Sequence, residues 1–136
     1  MSTSIAPYVT LDGKAEEAMK FWGEVLGVAP EIMRVGDSPM QAPPEAKNRV
    51  MHASLKTPSF LLMASDSMHG ESVDLRGPIS LALTFDTTEE QTRVWERLSQ
   101  GGQVTMPLGE TFWGRFGMLV DKFGVKWMLN YQPAQR

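Results

Sequence analysis

The sequence predicts an α+β fold built from one βαβββ unit repeated twice in tandem. Three observations carry that prediction. The stretch LDGKAEEAMKFWGEVLG (11–27) is matched at constant offset by FDTTEEQTRVWERLSQG (85–101), which puts Phe85 on Leu11, Glu90 on Glu16, Trp95 on Phe21 and Gly101 on Gly27. Each copy reads as a strand end, an acidic turn, an amphipathic helix and a glycine stop. Short segments of alternating polarity follow each copy, as strands require.

In the first helix Ala15, Ala18, Met19, Trp22 and Leu26 recur at three- and four-residue steps and form a single apolar stripe. Asp12 is placed to cap it, and Gly27 to end it in the left-handed conformation. The segment GDSPMQAPPEAK (36–47) holds three prolines and little periodicity, and reads as a mobile loop, a candidate lid or a tolerated insertion. RVMHASLKT (49–57) and SFLLMAS (59–65) form a hairpin around Thr57-Pro58. Alternation in the first of these groups His52 with Val50 and Ser54, opposite Met51, Ala53 and Leu55. SMHGESVDLRG (67–77) links the two halves.

The second half opens with ISLALTF (79–85), where Ile79, Leu81, Leu83 and Phe85 form an apolar face against Ser80, Ala82 and Thr84. Thr88 with Gln91 suggests a capping box for the second helix, whose buried face is Val94, Trp95 and Leu98. QVTMPL (103–108), RFGMLVD (115–121) and VKWMLNY (125–131) complete the strands. In the last, Trp127, Leu129 and Tyr131 share one face, and Lys126, Met128 and Asn130 the other. Asp121 and Gly124 make the turn before it.

Composition narrows the function. A chain of 136 residues suits one domain, and its net charge of −3 is scattered, which leaves no footprint for nucleic acid. No apolar run approaches a membrane span, and the N-terminus lacks the apolar core of a signal peptide. The absence of cysteine excludes disulfides and thiolate chemistry and fits a cytoplasmic location. Ten methionines suit a deformable core or an adaptable pocket.

Few residues carry chemistry. His52 is either a hydrogen-bonded structural histidine or, if its face lines a cleft, the best general acid–base or ligand-contact candidate. His69, in the linker, reads as solvated, and Asp66 either caps a turn, the favoured reading, or points into the mouth of a cleft. Glu16-Glu17 and Glu89-Glu90 sit in helix first turns, where acids favour the helix dipole regardless of function. There is no nucleophile elbow, Walker loop or dinucleotide fingerprint, so no cofactor and no catalytic residue is expected. In ETFWGR (110–115), Trp113 and Arg115 either hold a planar or anionic ligand or belong to a surface loop anchored by a buried tryptophan.

The motifs LDGKAEEAMKFWGEVLG, VMHASL, LLMASD, GGQVTMPLGETFWG and DKFGVKWMLN together resemble the vicinal oxygen chelate superfamily, the glyoxalase and bleomycin-resistance fold. The likeness is greatest to its PhnB-like (demethylubiquinone methyltransferase-like) branch. It implies a single domain over 1–136, with modules of about 1–66 and 78–131 curling a mixed sheet around an open cleft. It also implies a homodimer and a divalent metal held by two residues of each module. Those positions fall here at Pro7 (or Tyr8), Met63, Pro78 and Met128. A prolyl ring cannot coordinate, and a thioether suits Cu(I) rather than the harder cations such sites use. The expectation is therefore no metal. The branch's methyltransferase label has no glycine-rich cofactor loop behind it.

The expected function is binding of a small molecule through Tyr8, His52, Met63, Ser80, Trp113, Arg115, Met128 and Asn130. Ser80 and Asn130 would offer hydrogen bonds, Met63 and Met128 an apolar bed, and Arg115 a bidentate grip on a carboxylate or phosphonate. The alternatives are a lyase, isomerase or dioxygenase-type enzyme with rearranged ligands, or a structural dimer module whose cleft is filled by Met63 and Met128.

Overall fold

The computed structural model describes residues 3–39, 41–67 and 72–133. His69 lies outside them. The chain divides at Asp74 and Leu75 into two compact units. Among the described residues each unit holds one α-helix and one open, four-stranded mixed sheet.

The first unit contains β1 (Tyr8–Leu11), α1 (Ala15–Leu26), β2 (Glu31–Arg34), β3 (Val50–Lys56) and β4 (Leu61–Asp66). Its strand order is β1-β4-β3-β2, with β1 parallel to β4 and the other pairs antiparallel. The second contains β5 (Leu81–Phe85), α2 (Thr88–Leu98), β6 (Gln103–Glu110), β7 (Arg115–Val120) and β8 (Lys126–Tyr131), in the matching order β5-β8-β7-β6. The doubled βαβββ pattern is thus the observed architecture.

Helix α1 lies on β3 and β4, and apart from Asp66 the seam is apolar. Ala15, Ala18, Met19 and Trp22 are buried against Leu55, Leu62 and Ala64. Val25, rather than Leu26, completes the stripe. Gly27 ends the helix at φ 76°, as expected. The start differs. Lys14 stands at the cap position with no side-chain bond. Asp12 is drawn instead to Arg49, at 3.0 Å. The first helical N–H, that of Ala15, donates to Asp66 at 3.0 Å, and Val50 N donates to the other Asp66 oxygen at 2.9 Å. Asp66 is therefore a buried clip between helix and sheet rather than a turn cap.

One strand face also differs. The pairing of β2 with β3 shifts register between Met33 and Arg34, so Met33 meets His52 while Arg34 meets Val50. That bulge breaks the alternation. Val50 joins Ala53 and Leu55 in the core, and His52 stays with Ser54 on the other face. Beyond β2, the Pro-rich segment forms short 3₁₀ turns at Val35–Asp37 and Pro44–Ala46, and its base is closed by Gly36 N donating to Lys47 O at 3.0 Å.

In the second unit α2 packs on β8 and β5. Its cap is Thr87, one residue earlier than expected, whose hydroxyl accepts from Glu90 N at 3.2 Å. Gln91 is thereby released for another task. It is fully buried, and its amide donates to Arg115 O at 2.9 Å and Leu129 O at 3.2 Å. The ring of Trp95 covers Gly117 so closely that an added Cβ would lie 2.8 Å from it. β5 begins at Leu81, and Ile79 stands 80% exposed ahead of it instead of sharing its apolar face. The turn after β7 forms as expected, with Asp121 Oδ1 accepting from Phe123 N at 2.9 Å and Val125 N at 3.0 Å.

Candidate functional site

Helices cover one face of each sheet, and residues paired across strands share a face. The residues on the uncovered faces follow from the registers.

On the first sheet, Tyr8 pairs with Met63 and Met63 with Ser54, so all three stand on the face away from α1. His52 joins them two residues before Ser54. The Tyr8 hydroxyl reaches diagonally to within 3.2 Å of His52 Nδ1, with the ring centroids 5.7 Å apart. Tyr8 is nearly half exposed. The structure thus brings Tyr8, His52 and Met63 together as a polar pair beside a thioether.

On the second sheet two rows run side by side. Met106, Met118 and Met128 are in register across β6, β7 and β8, and Ala82 on β5 extends the row. Phe116, Asn130 and Thr84 form the next one. Trp113 closes over them from a tight turn in which Thr111 N and Thr111 Oγ1 both donate to Gly114 O, at 2.6 and 2.7 Å. Its indole nitrogen donates to Asn130 Oδ1 at 3.1 Å, and its ring meets Phe116 edge-on at 5.5 Å. Trp113 is 38% exposed, so it is not the buried anchor of a loop. Ser80 is half-buried just ahead of β5.

Arg115 is placed apart from Trp113 and Asn130. It pairs with Tyr131, so its side chain takes the helix side. There Nη1 donates to Thr92 Oγ1 at 2.7 Å and to Thr88 O at 3.3 Å. With Thr88, Glu89, Thr92 and Glu110 it lines a shallow surface depression. Trp127 is buried, its indole donating to Asp121 Oδ2 at 2.8 Å, which is a packing role.

The four positions the superfamily would use for metal offer no fitting donor set. Pro7 gives its carbonyl oxygen to Met63 N at 3.1 Å, and Pro78 lies in the coil before β5. Met63 and Met128 supply thioethers. Among the described residues no three histidines or carboxylates come together.

Phe116, Met118, Met106 and Thr84 escaped the sequence reading. Alternation around Gly117 and Leu119 carried the signal for Phe116 and Met118. The register that aligns them with Asn130 and Met128 did not follow from sequence.

Comparison with known proteins agrees with this architecture. A profile of the family described as 3-demethylubiquinone-9 3-methyltransferase matches residues 3–130. Protein YjdN of Escherichia coli K12 is 30% identical, over 96% of this chain and 99% of its own. The crystal structure of protein PA1353 from Pseudomonas aeruginosa is 39% identical with a TM-score of 0.88, covering 98% of this chain and all of that one. A PhnB protein from Bacillus cereus is 32% identical with a TM-score of 0.72, covering 95% of this chain and 99% of that one. A glyoxalase-related enzyme from Fulvimarina pelagi, 19% identical with a TM-score of 0.64, covers 96% of this chain and 89% of that one and shares the fold.

Proposed function

The chain belongs to the family described as 3-demethylubiquinone-9 3-methyltransferase, the PhnB-like branch of the glyoxalase and bleomycin-resistance fold, and from that premise we propose that it binds a small molecule without the superfamily's metal. The supporting observation is Trp113, held over Phe116 by Asn130 on the uncovered face of the second sheet. An indole kept partly exposed beside a second ring and a row of thioethers is a surface suited to an apolar ring. Tyr8, His52 and Met63 offer a second contact surface with a polar pair, and Ser80 stands beside the second sheet. Arg115, engaged with α2, is left out of the contact set.

Metal independence rests on donor chemistry, since prolines and thioethers stand at the four ligand positions. The proposal keeps the homodimer and the cytoplasmic location that the superfamily and the cysteine-free sequence lead one to expect. Among the described residues no helix is long and apolar enough to cross a membrane.

The test is elemental analysis of untagged protein purified without chelators and then soaked with Mn, Fe, Ni and Zn, paired with a ligand screen read by NMR. Substoichiometric metal with displacement of the Trp113 indole signal by ring compounds is expected. A stoichiometric divalent ion would overturn the proposal in favour of a metal-dependent lyase, isomerase or dioxygenase-type enzyme.

A further inference from the structure

Building on the binding face just described, we infer its ligand class: a flat, uncharged ring carrying a hydrogen-bond-accepting oxygen, as in an aryl ketone, amide or ester. Asn130 is the residue that selects for the oxygen. An indole N–H can only donate, so the atom of Asn130 facing Trp113 at 3.1 Å must be the amide oxygen. That bond fixes which way the amide lies. Its nitrogen, with two hydrogens to give, is turned away from the indole. It makes no hydrogen bond to any described residue.

The ring's place follows from the neighbours. Asn130 sits in register with Phe116 on one side and Thr84 on the other, and the methionine row runs alongside. Thioethers conform to rings of different outline and make favourable contacts with their edges. A ring seated there lies against Phe116 and Trp113 while its oxygen meets Asn130 Nδ2.

Charge argues for a neutral ligand. The two rows hold no ionisable side chain. Lys126, farther along β8, donates to Gly77 O at 2.6 Å, and Arg115 is engaged on the helix side. A carboxylate placed between the two rows would lose hydration with no cation in either row to meet it.

The experiment uses the full chain, two-dimensional NMR and three probes: acetophenone, ethylbenzene of nearly the same shape, and benzoate. Trp113→Phe assigns the indole signal. Both neutral probes should displace that signal, and benzoate should not. Because ethylbenzene is the more hydrophobic, the informative quantity is the ketone-to-hydrocarbon affinity ratio in wild type relative to variants. Asn130→Leu should lower that ratio about tenfold. Asn130→Asp still accepts the Trp113 N–H but has no hydrogen to give, and should lower it likewise. An unchanged ratio in both variants, with both probes still displacing the indole, overturns the oxygen selection and leaves the binding face standing. Tight binding of benzoate also overturns the inference. Failure of both neutral probes to move the indole overturns the inference together with the function proposed for this face.

Discussion

Asp66 accepts the first N–H of a helix that begins fifty-one positions earlier in the chain, at Ala15, across 3.0 Å. Its second oxygen takes Val50 N at 2.9 Å, so one buried carboxylate ties α1, β3 and β4 together. Asp66→Ala leaves two interior N–H groups without acceptors, and each costs about 1–3 kcal/mol. The expected loss of stability is roughly 2–6 kcal/mol, read from the urea midpoint of the first unit's transition. A midpoint equal to wild type would mean that water takes both groups.

Gln91 plays the corresponding part in the second unit, joining α2 to the backbone of β7 and β8. Gln91→Leu keeps the side chain's bulk and leaves Arg115 O and Leu129 O without these bonds. A destabilisation of about 1–3 kcal/mol is expected, with near-normal far-ultraviolet circular dichroism. Gln91→Glu keeps an acceptor for Arg115 Nη1, 3.4 Å away, but cannot donate to the two carbonyl oxygens, and should also fall below wild type at neutral pH. Thermal melts of the three proteins decide the order.

The carboxyl of Glu16 is held below its ordinary value of 4.5, first by hydrogen bonding to Lys20 and then to Arg34. A group whose pKa is lower folded than unfolded stabilises above its unfolded pKa, and that contribution fades as pH falls through the folded one. Wild type should therefore exceed Glu16→Gln slightly at neutral pH, and the two should converge once the pH drops well below 4.5. The pairs are on the surface, so molar salt should shrink the gap too. A gap that widened on acidification would contradict the assignment.

Gly114 has φ 150°, and a Cβ there would lie 2.0 Å from Tyr131 O. Gly114→Ala must therefore displace the turn that carries Trp113. The expected outcome is loss of ring-probe binding together with a lowered melting temperature, since the clash falls on the β8 backbone where Tyr131 pairs with Arg115. Retained affinity would show that Trp113 does not form the wall.

Much of the fold was legible because two helices with glycine stops and several alternating strands appear twice over. What stayed hidden was long-range. Asp12 and Asp66 are both acids near α1, and only the packed sheet decides that the distant one caps it. The bulge opposite Met33 reversed the face of Val50, because alternation holds only while both strands advance together. At the candidate site, Trp113 in the connection before β7 and Asn130 on the last strand were each visible as polar-tipped residues. Their bond, and the removal of Arg115 to the far face, depend on the register of β7 with β8. That register is a property of the pair and not of either segment.

In each sheet the earliest strand lies parallel beside the latest, as with Tyr8 against Met63 and Leu81 against Trp127. A chain emerging from a ribosome can make β3 meet β4 locally, but β1 has no neighbour until β4 has been synthesised. Completion of each unit thus waits on its final strand, and the loop closure this requires slows folding. A ribosome-stalled fragment ending before Leu61 should remain open to protease. One extending past Asp74 into the exit tunnel's length of extra chain should be protected over its first unit.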